Sequence, residues 1–446
     1  MIDRIFSLLV IACGLALADF ATAAPRPQTG DAVQQEDSWP TWRGSDRDGH
    51  SPSTGINTDW ETNPPKLLWQ AGGLGEGYGS VSIAQGMIFS TGNKQNQQVL
   101  TASALSDGKV LWQTPITDSL PGHDYAGARC TPTFSDGKVY AVPSSGGIVC
   151  LDATSGKKLW EHNFSKWGGR MMSVWGFSES PLVDEGFVLF TPGGPNAAIV
   201  KLDKDTGKEI WRSSIPAGGD GTNKVGKRLQ KGAAYSSIVV GQISGVKQYV
   251  QLVAEGVVGI RANDGKLMWG YEDVSNDVAA IPTPLIGEDF VFASSGYGTG
   301  SCLLKISKNQ NETKASVAYF LEANQFENHH GGMVAQDGYV YAGHGHGKGF
   351  PICIRISDGQ VMWKERGPGT GSAAVVWVDN HLIFRYQNGT VALIQANPNS
   401  YRLKGQFRPV LQERESWAHP VVVNRRLYLR EQDGIMCYDL APASQE

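Results

Sequence analysis

Short stretches in which apolar and polar residues alternate recur along most of the chain, and glycine turns separate them. In the copy from Thr131 to Asn163, three such stretches are followed by the turn Asp-Ala-Thr-Ser-Gly and a fourth stretch that carries Trp160. A period of two residues combined with glycine turns predicts a four-stranded antiparallel meander. In the last turn we expect the Asp152 carboxylate to cap backbone N–H groups and Gly156 to take the positive φ that closes the hairpin.

The tryptophan that ends this meander recurs at intervals of 43 to 58 residues, which is typical of propeller blades. Clear copies close at Trp69, Trp112, Trp160, Trp211, Trp269 and Trp363, and weaker copies end near Tyr319 and Phe407. A residue that every repeat requires serves the repeat, so we interpret these tryptophans as wedges between blades and not as ligand platforms.

The two ends of the repeat region complement each other. The last copy, from Trp417 to Leu440, has three strands, whereas the first closing strand, Lys66–Gln70, has no three strands before it. If the N-terminal strand pairs with the C-terminal blade, the ring closes and both open sheet edges are covered. We therefore predict an all-β, eight-bladed β-propeller of four-stranded antiparallel blades.

Composition agrees with many short strands and tight turns, since the chain has 55 glycines and 13 tryptophans and only 18% charged residues. The formal net charge of −4 argues against a nucleic-acid partner, because phosphates demand a basic face.

The N-terminus has the features of a secretory signal peptide. An apolar run from Ile5 to Leu17 precedes Ala21-Thr22-Ala23, a small-residue cleavage site. We divide the chain into a signal peptide (1–23), an N-terminal extension (24–65), a propeller (66–440) and a C-terminal tail (441–446). The prediction is a monomer exported to the periplasm or beyond, without a transmembrane span. The alternative is cleavage at Cys13 and a lipid anchor.

Five cysteines remain after cleavage, and three of them, Cys150, Cys353 and Cys437, occupy the same place in their repeats. A disulfide needs Cα atoms within about 7 Å, which equivalent strands of different blades should not allow. We expect small buried thiols and no intramolecular disulfide.

The phrases CLDATSGKKLW, KLDKDTGKEIW and RISDGQVMW resemble the repeat of the PQQ-type propellers. That family includes quinoprotein alcohol dehydrogenases and the outer-membrane assembly lipoprotein BamB, and the resemblance covers residues 66 to 440. WPTWRGSDRDGHSP, NHHGGMV and GHGHGKGFPICI further resemble secreted PQQ-like repeat proteins of planctomycete-type bacteria. The resemblance implies the fold but leaves the activity open, because enzymes and scaffolds both carry this repeat.

In a propeller, function is expected on one face, in the loops that lead into the first strand of each blade and those that join its second and third strands. Aligning the blades on the first strand predicts a ring of Tyr78, Arg129, Ser178, Tyr235, Ile281, His330, Ser372 and Trp417. The candidate ligand-binding residues on this face are His329, His330, His344, His346, Glu179, His123, Arg129, Trp417 and His419.

One blade contributes four of the nine histidines, on two adjacent loops of that face. Neutral imidazoles that lie close together are common ligands of transition metals, so His330, His344 and His346 form a candidate site for zinc or a similar metal. The alternative is that these imidazoles hydrogen-bond to the blade backbone and fill a polar channel mouth.

The PQQ cofactor with calcium, which the resemblance raises, needs basic partners, an aromatic stacking surface and oxygen ligands for the metal. Arginines that could supply the charge are Arg129, Arg170, Arg385 and Arg430, and stacking tryptophans could be Trp167, Trp175 or Trp417. However, the vicinal cysteine pair of the family's alcohol dehydrogenases is missing, and no calcium-ligand segment is evident.

These observations predict an exported binding or scaffold module, in envelope protein assembly, with a protein partner or a small polar ligand on the loop face. The first alternative is a PQQ-dependent oxidoreductase like the quinoprotein alcohol dehydrogenases. The second is a metal-dependent hydrolase at the histidine-rich loops.

Overall fold

The alternating stretches form eight antiparallel blades of four strands each, one of which gains a short fifth strand in parallel pairing, in a computed structural model that describes residues 38–216, 222–309 and 312–443. The prediction of an all-β, eight-bladed propeller is confirmed. The predicted signal peptide and Cys13 lie outside the described residues. In the part of the chain that is described, no helix is long and apolar enough to cross a membrane.

Two strands, β1 (His50–Ser51) and β2 (Lys66–Ala71), precede the first complete blade. Blade 1 contains β3 (Ser82–Ala84), β4 (Met87–Lys94), β5 (Gln97–Ala104) and β6 (Val110–Pro115). Blade 2 contains β7 (Thr133–Ser135), β8 (Lys138–Ala141), β9 (Gly147–Asp152) and β10 (Lys158–Asn163), and the 3₁₀ helix η1 (Phe164–Trp167) follows it. Blade 3 contains β11 (Leu182–Asp184), β12 (Phe187–Phe190), β13 (Ile199–Asp203) and β14 (Glu209–Ser213). Blade 4 contains β15 (Val239–Ile243), β16 (Val246–Val253), β17 (Gly256–Arg261) and β18 (Leu267–Tyr271).

The second half of the ring follows the same plan. Blade 5 contains β19 (Leu285–Ile286), β20 (Phe290–Ser295), β21 (Gly300–Asn309) and β22 (Glu312–Leu321). Blade 6 contains β23 (Met333–Gln336), β24 (Tyr339–His344), β25 (Phe350–Arg355) and β26 (Val361–Lys364). Blade 7 contains β27 (Ala373–Val378), β28 (His381–Tyr386), β29 (Val391–Gln395) and β30 (Leu403–Phe407). Blade 8 contains β31 (Val421–Val423), β32 (Arg426–Glu431), β33 (Gly434–Asp439) and, from the N-terminal side, β2.

The turn before the closing strand of blade 2 has the predicted chemistry. In blade 2, Asp152 Oδ1 accepts hydrogen bonds from the N–H groups of Thr154 (3.2 Å) and Ser155 (2.8 Å). Gly156 has φ +70°, a left-handed conformation that glycine adopts without strain. A Cβ atom at this position would lie 2.5 Å from the ring of Trp112, so only glycine leaves room for that ring.

The wedge aromatics of most blades pack on the turn of the next blade, whereas the indole N–H of Trp269 donates to Gln248 Oε1 within blade 4 (2.8 Å). Trp112 Nε1 donates to the carbonyl of Ala153 (3.0 Å), and Trp160 Nε1 donates to that of Lys204 (3.0 Å). In the weaker copy, Tyr319 Oη donates to the carbonyl of Ile356 (2.8 Å) across the same kind of boundary. The interpretation of the repeated aromatics as wedges between blades is confirmed.

The ring closes as predicted, because β2 pairs antiparallel with β33 in the register Lys66↔Asp439 to Ala71↔Ile435. The Trp69 ring packs on the turn of blade 1, where a Cβ on Gly108 would lie 2.7 Å from it. The first and last blades are thereby joined by both backbone hydrogen bonds and a wedge.

The N-terminal extension has a structural role that its sequence did not suggest. Its described part up to Trp60, which we call the channel segment (residues 38–60), runs as far as Ser51 along the first strands of the blades, where they surround the central channel. It then reaches the outermost strand of blade 7, where the N–H of Trp60 donates to the carbonyl of Lys404 (3.1 Å). β1 pairs parallel with β27, and Trp39 exchanges backbone hydrogen bonds of 2.8 Å with Ile83 of β3. The Ser51 hydroxyl donates to the carbonyl of Val422 in blade 8 (2.9 Å). The channel is therefore occupied by the chain's own N-terminal residues.

Two buried arginines hold this segment in place. Arg47 donates to the backbone carbonyls of Ser180 (2.7 Å) and Pro181 (3.1 Å) in the approach to blade 3. Arg43 donates to the carbonyls of Asp48 (2.9 Å) and Met333, the latter in blade 6. Burial lowers the pKa of each guanidinium to about 10, so both remain charged at neutral pH.

The five described cysteines are buried free thiols. Cys150, Cys353 and Cys437 occupy equivalent third-strand positions, as the repeat alignment predicted, and each lies beside the wedge tryptophan of its own blade. Burial raises the pKa of the Cys150 thiol to about 12, which disfavours the thiolate.

Candidate ligand site at the channel mouth

A cavity of about 480 Å³ opens where the loops that lead into the first strands surround the channel. Its floor is the channel segment, which contributes Trp42 and Arg43. Seven of the eight positions predicted to form one ring line this cavity, namely Tyr78, Arg129, Ser178, Tyr235, Ile281, His330 and Trp417. The eighth, Ser372, hydrogen-bonds with the lining residue His329 (2.7 Å).

Aromatic rings form much of the wall. Trp417 contacts Tyr78, with ring centroids 4.9 Å apart, and Tyr125, with centroids 5.0 Å apart. A second aromatic pair of the lining is formed by Trp175 and Tyr235, whose ring centroids lie 6.0 Å apart. These rings come from the loops before blades 2, 3, 4 and 8 and the start of blade 1, so the wall is built by the ring of blades and not by one element.

Arg129 is the cation of the wall. Its guanidinium donates to the backbone carbonyls of Asp124 (3.1 Å), Tyr125 (2.9 Å) and Gly127 (2.9 Å), which fixes it within its own loop. It also lies 5.7 Å from the centre of the Tyr78 ring. Burial lowers its pKa to about 10, so it is charged at neutral pH. No aspartate or glutamate belongs to the cavity lining.

Three of the predicted histidines meet at the cavity. The ring of His329 lies 4.2 Å from those of both His330 and His346, measured between centroids. Both ring nitrogens of His329 have hydroxyl partners, Ser372 Oγ (2.7 Å) and Tyr297 Oη (3.0 Å). Burial lowers the pKa of His329 far below its usual value and that of His330 to about 3, so both are neutral at pH 7.

His419 completes this side of the cavity. Its Nε2 donates to the backbone carbonyl of His330 (3.0 Å), and its ring lies 4.5 Å from that of Trp42 on the floor. Burial, followed by the charge of Arg43, lowers the pKa of His419 to about 3. The imidazoles of His329, His330 and His419 are thus neutral at pH 7.

The other predicted site residues lie behind the wall. His344 is buried beside Phe326, and its Nδ1 accepts from the N–H of Glu327 (3.4 Å), outside the lining. His123 lies on the Arg129 loop, with its Nδ1 3.3 Å from Arg129 Nη1. Of the three imidazoles proposed to bind metal, His330 and His346 line the cavity and His344 does not.

Glu179 lies one layer below the cavity. Its carboxylate accepts from the N–H of Thr191 (2.6 Å), from the Thr191 hydroxyl (3.1 Å) and from Gln251 Nε2 (3.3 Å). Burial raises its pKa to about 8 despite these hydrogen bonds and the charge of Arg47. Glu179 therefore supports the wall and does not reach the cavity.

The lining does not match the requirements of PQQ with calcium. Of the four arginines considered for the cofactor, Arg129 lines the cavity, while Arg385 pairs with Glu431 in a buried ion pair (2.7 Å). Arg430 is used by the backbone carbonyls of Gly75 (2.9 Å) and Gly79 (3.1 Å). The lining also lacks the carboxylates that calcium prefers.

Metal ligands are not clustered either. Among the described residues, no group of three or more histidine, cysteine, aspartate or glutamate side chains is arranged to hold a metal ion. The histidines form a hydrogen-bonded aromatic wall in this arrangement, and the zinc site stays a prediction.

Several lining residues were not foreseen. Trp42 and Arg43 come from the channel segment, whose three tryptophans and two arginines among small residues were the available signal. Tyr297 lies in the turn between β20 and β21, which belongs to one of the two loop classes expected on this face. Tyr125 sits on the loop that also carries Arg129.

Comparison with known proteins agrees with this architecture. A family model described as "Outer membrane protein assembly factor BamB" matches residues 58–233 and 227–365. The chain is similar to BamB of Xanthomonas campestris pv. campestris, at 33% identity over 113 residues, 24% of this chain and 25% of that protein. It is also similar to the dehydrogenase subunit of an alcohol dehydrogenase (quinone) of Gluconobacter oxydans, at 28% identity over 229 residues, 46% of this chain and 29% of that protein.

Solved structures share the fold at low identity. BamB from Moraxella catarrhalis superposes with a TM-score of 0.58 at 11% identity, covering 84% of this chain and 99% of that one. Quinohemoprotein alcohol dehydrogenase from Comamonas testosteroni superposes with a TM-score of 0.65 at 12% identity, covering 92% and 82%. The chain spans between a quarter and three tenths of the length of the two curated relatives above, so their activities are not transferred here. Because the family model matches more than half of its residues, this chain belongs to the family described as outer membrane protein assembly factor BamB, within the PQQ-type propellers.

Proposed function

We propose that this protein is an exported, non-catalytic scaffold that docks a protein partner on the loops around the channel mouth during envelope protein assembly. The observation that carries the proposal is apolar exposure on these loops. Leu120, Tyr125, Val174 and Val410 are all exposed there, and Val174 is 68% exposed. Large apolar side chains grouped on one face of a soluble domain are typical of protein-binding surfaces.

The chemistry of the cavity supports binding over catalysis. General acid–base catalysis needs a group whose pKa lies near the working pH and which reaches the substrate. The buried imidazoles of His330 and His419 have pKa values of about 3, and the Glu179 carboxyl, whose pKa burial raises to about 8, lies behind the wall. A partner surface or ligand would meet aromatic rings, hydroxyls, imidazoles and the guanidinium groups of Arg129 and Arg43.

Family membership supports the same role. The family description and several relatives carry the name outer membrane protein assembly factor, and the predicted signal peptide would place this chain in the same compartment. An oxidoreductase role has the quinone alcohol dehydrogenases as relatives, but the cavity lining offers neither the arginine cluster nor the calcium ligands. Native mass spectrometry after incubation with PQQ and calcium tests this alternative, since stoichiometric cofactor would favour the enzyme.

Site-specific photocrosslinking in the producing bacterium tests the scaffold role. A benzophenone amino acid at Val174 should form a covalent adduct with one envelope protein, because that side chain projects from the loop face. The matched control is the same amino acid at Leu111, which is 54% exposed on the outermost strand of blade 1 and away from the mouth. Identical adducts from both positions, or none from Val174, would contradict the proposal.

A further inference from the structure

We propose that the mouth cavity is itself a binding site for a small six-membered ring that bears one carboxylate group. This activity goes beyond the docking of a protein partner, and either role can hold without the other. Its support comes from the charge of the lining, the arrangement of the rings and two donors that the fold leaves without partners.

The first support is an uncompensated charge. The charged Arg129 lies in the wall, and its hydrogen-bond partners are backbone carbonyls, which carry no formal charge, and the imidazole ring of His123. No carboxylate belongs to the lining among the described residues, and imidazoles do not supply a negative charge. A ligand carboxylate would supply the missing counter-charge, and in a partly desolvated site a guanidinium–carboxylate pair is strong.

Arg43 on the cavity floor adds positive charge, but it does not create a second site for an anionic group. Arg43 lines the bottom of the cavity, but the nearby Asp48 carboxylate already offsets part of its charge. One anionic group per ligand therefore fits the lining, whereas a tricarboxylate would meet too few cations.

The second support is the arrangement of the aromatic rings. Tyr78, Tyr125 and Trp417 lie within 6.5 Å of one another between centroids and are inclined at 39° to 75°, so they enclose a corner and do not stack as a flat pile. Such a corner offers ring faces to an aromatic ring or to the C–H face of a pyranose. A volume of about 480 Å³ lies within the ~300–1,000 Å³ that small-ligand sites span.

The backbone also holds two tyrosines of the lining in a costly conformation. Tyr125 has φ +52° and Tyr297 has φ +60°, in the left-handed region that bulky residues rarely adopt. Strain of this kind tends to be kept where it places a side chain at a functional site. Both tyrosines line the cavity.

The third support is a pair of donors left unsatisfied. Trp417 Nε1 and Arg43 Nη1 are buried and have no hydrogen-bond partner among the described residues, and both residues line the cavity. A buried donor without a partner costs free energy, so acceptor oxygens of a bound ligand would be stabilised here. Hydroxyl or carboxylate oxygens on the ring of the ligand would accept hydrogen bonds from these two donors.

Isothermal titration calorimetry with two pairs of probes tests this inference. Glucuronate and 4-hydroxybenzoate are the acids, and methyl glucoside and 4-hydroxybenzyl alcohol are their uncharged counterparts. We expect one acid to bind at least about tenfold more tightly than its counterpart, and the acid that binds identifies a pyranose or an aromatic carboxylate as the ligand. Failure of both acids to bind at about 10 mM, or equal binding of an acid and its counterpart, would overturn the proposal.

A charge variant provides the second arm. Arg129→Gln should weaken binding of that acid about tenfold or more while leaving its uncharged counterpart unaffected. The matched control is Arg212→Gln on the outermost strand of blade 3, where Arg212 pairs with Glu209 (2.6 Å) in solvent. Wild-type affinity in Arg129→Gln would overturn the proposal. If Arg129→Gln does not fold, the comparison of acid with counterpart on the unaltered chain decides.

Discussion

At the scale of single residues, Glu179 shows how a propeller can bury a carboxyl group without giving it an ion pair. The hydrogen bonds from Thr191 and Gln251 satisfy its oxygens, but they do not offset the loss of water. Its pKa in the folded protein, about 8, is therefore well above the value of about 4.3 for a free glutamate. The neutral, protonated form belongs to the native structure at neutral pH.

This pKa has a consequence for stability that can be measured. A group whose pKa is raised by folding stabilises the native state fully below its unfolded pKa and loses this contribution as the pH rises through the folded value. Between about pH 4.3 and 8 the free energy of unfolding should fall with rising pH by up to about 1.4 kcal/mol per pH unit from this residue.

Glu179→Gln isolates this contribution, since the glutamine side chain has nearly the same shape as that of glutamate and cannot ionise. The difference in free energy of unfolding between this variant and the wild type should shift in favour of the variant as the pH rises from 5 to 9. Urea denaturation of both proteins at each pH measures this difference in the free energy of unfolding. A difference that stays constant with pH would mean that Glu179 is ionised in the fold.

At the scale of elements, the turn and the closing strand of neighbouring blades form one structural unit. The turn glycine adopts a left-handed conformation, and the wedge tryptophan of the preceding blade covers it. The same contact occurs at Gly207 with Trp160 and at Gly265 with Trp211, where a Cβ would lie 2.8 Å and 2.6 Å from the ring. Conformation and packing therefore require the same glycine.

Blade 2 allows these two requirements to be separated. Gly156 and Gly137 both have positive φ, +70° and +72°, but a Cβ on Gly137 would meet nothing within 4 Å. Gly137→Ala should cost about 1–2 kcal/mol of stability from backbone strain alone. Gly156→Ala should cost a further ~1–3 kcal/mol, because its methyl group displaces Trp112. Equal losses in chemical denaturation would show that the wedge does not depend on this turn.

At the scale of the whole molecule, the N-terminal residues hold the ring together in two ways. β2 completes blade 8, and the channel segment bonds to the first strands of several blades from inside. Both contacts join residues that are far apart in the sequence, so each should raise the cooperativity of unfolding across the blades.

Truncation separates these two contributions. A chain that starts at Ser38, the first described residue, is the reference. A start at Pro64 removes the channel segment and keeps β2, and we expect it to lower the melting temperature by several degrees. A start at Gly72 removes β2 as well and should lower it further, because blade 8 then exposes the edge of β33 and loses the Trp69 wedge against blade 1. If the chain that starts at Pro64 has the same melting temperature as the reference, the channel segment contributes no stability.

Much of this protein could be predicted from its sequence, because most of the determining interactions are local. Alternation, turn glycines and the spacing of Trp112, Trp160 and Trp211 report contacts within a blade or between neighbouring blades, and these are repeated along the chain. The missing strand of the last blade and the spare strand at Lys66 were likewise visible as a mismatch in that repeat. Alignment on the first strands even placed Arg129 and Trp417 at one mouth.

Only the tertiary structure decided what fills the channel and which groups face the cavity. Trp42 and Arg43 reach the floor because the channel segment follows the inner strands, a path that no local periodicity encodes. His344 and His346 are two residues apart, yet only His346 lines the cavity. Alternation within a blade is a short-range property, whereas the convergence of side chains at the mouth depends on the closure and tilt of all eight blades together.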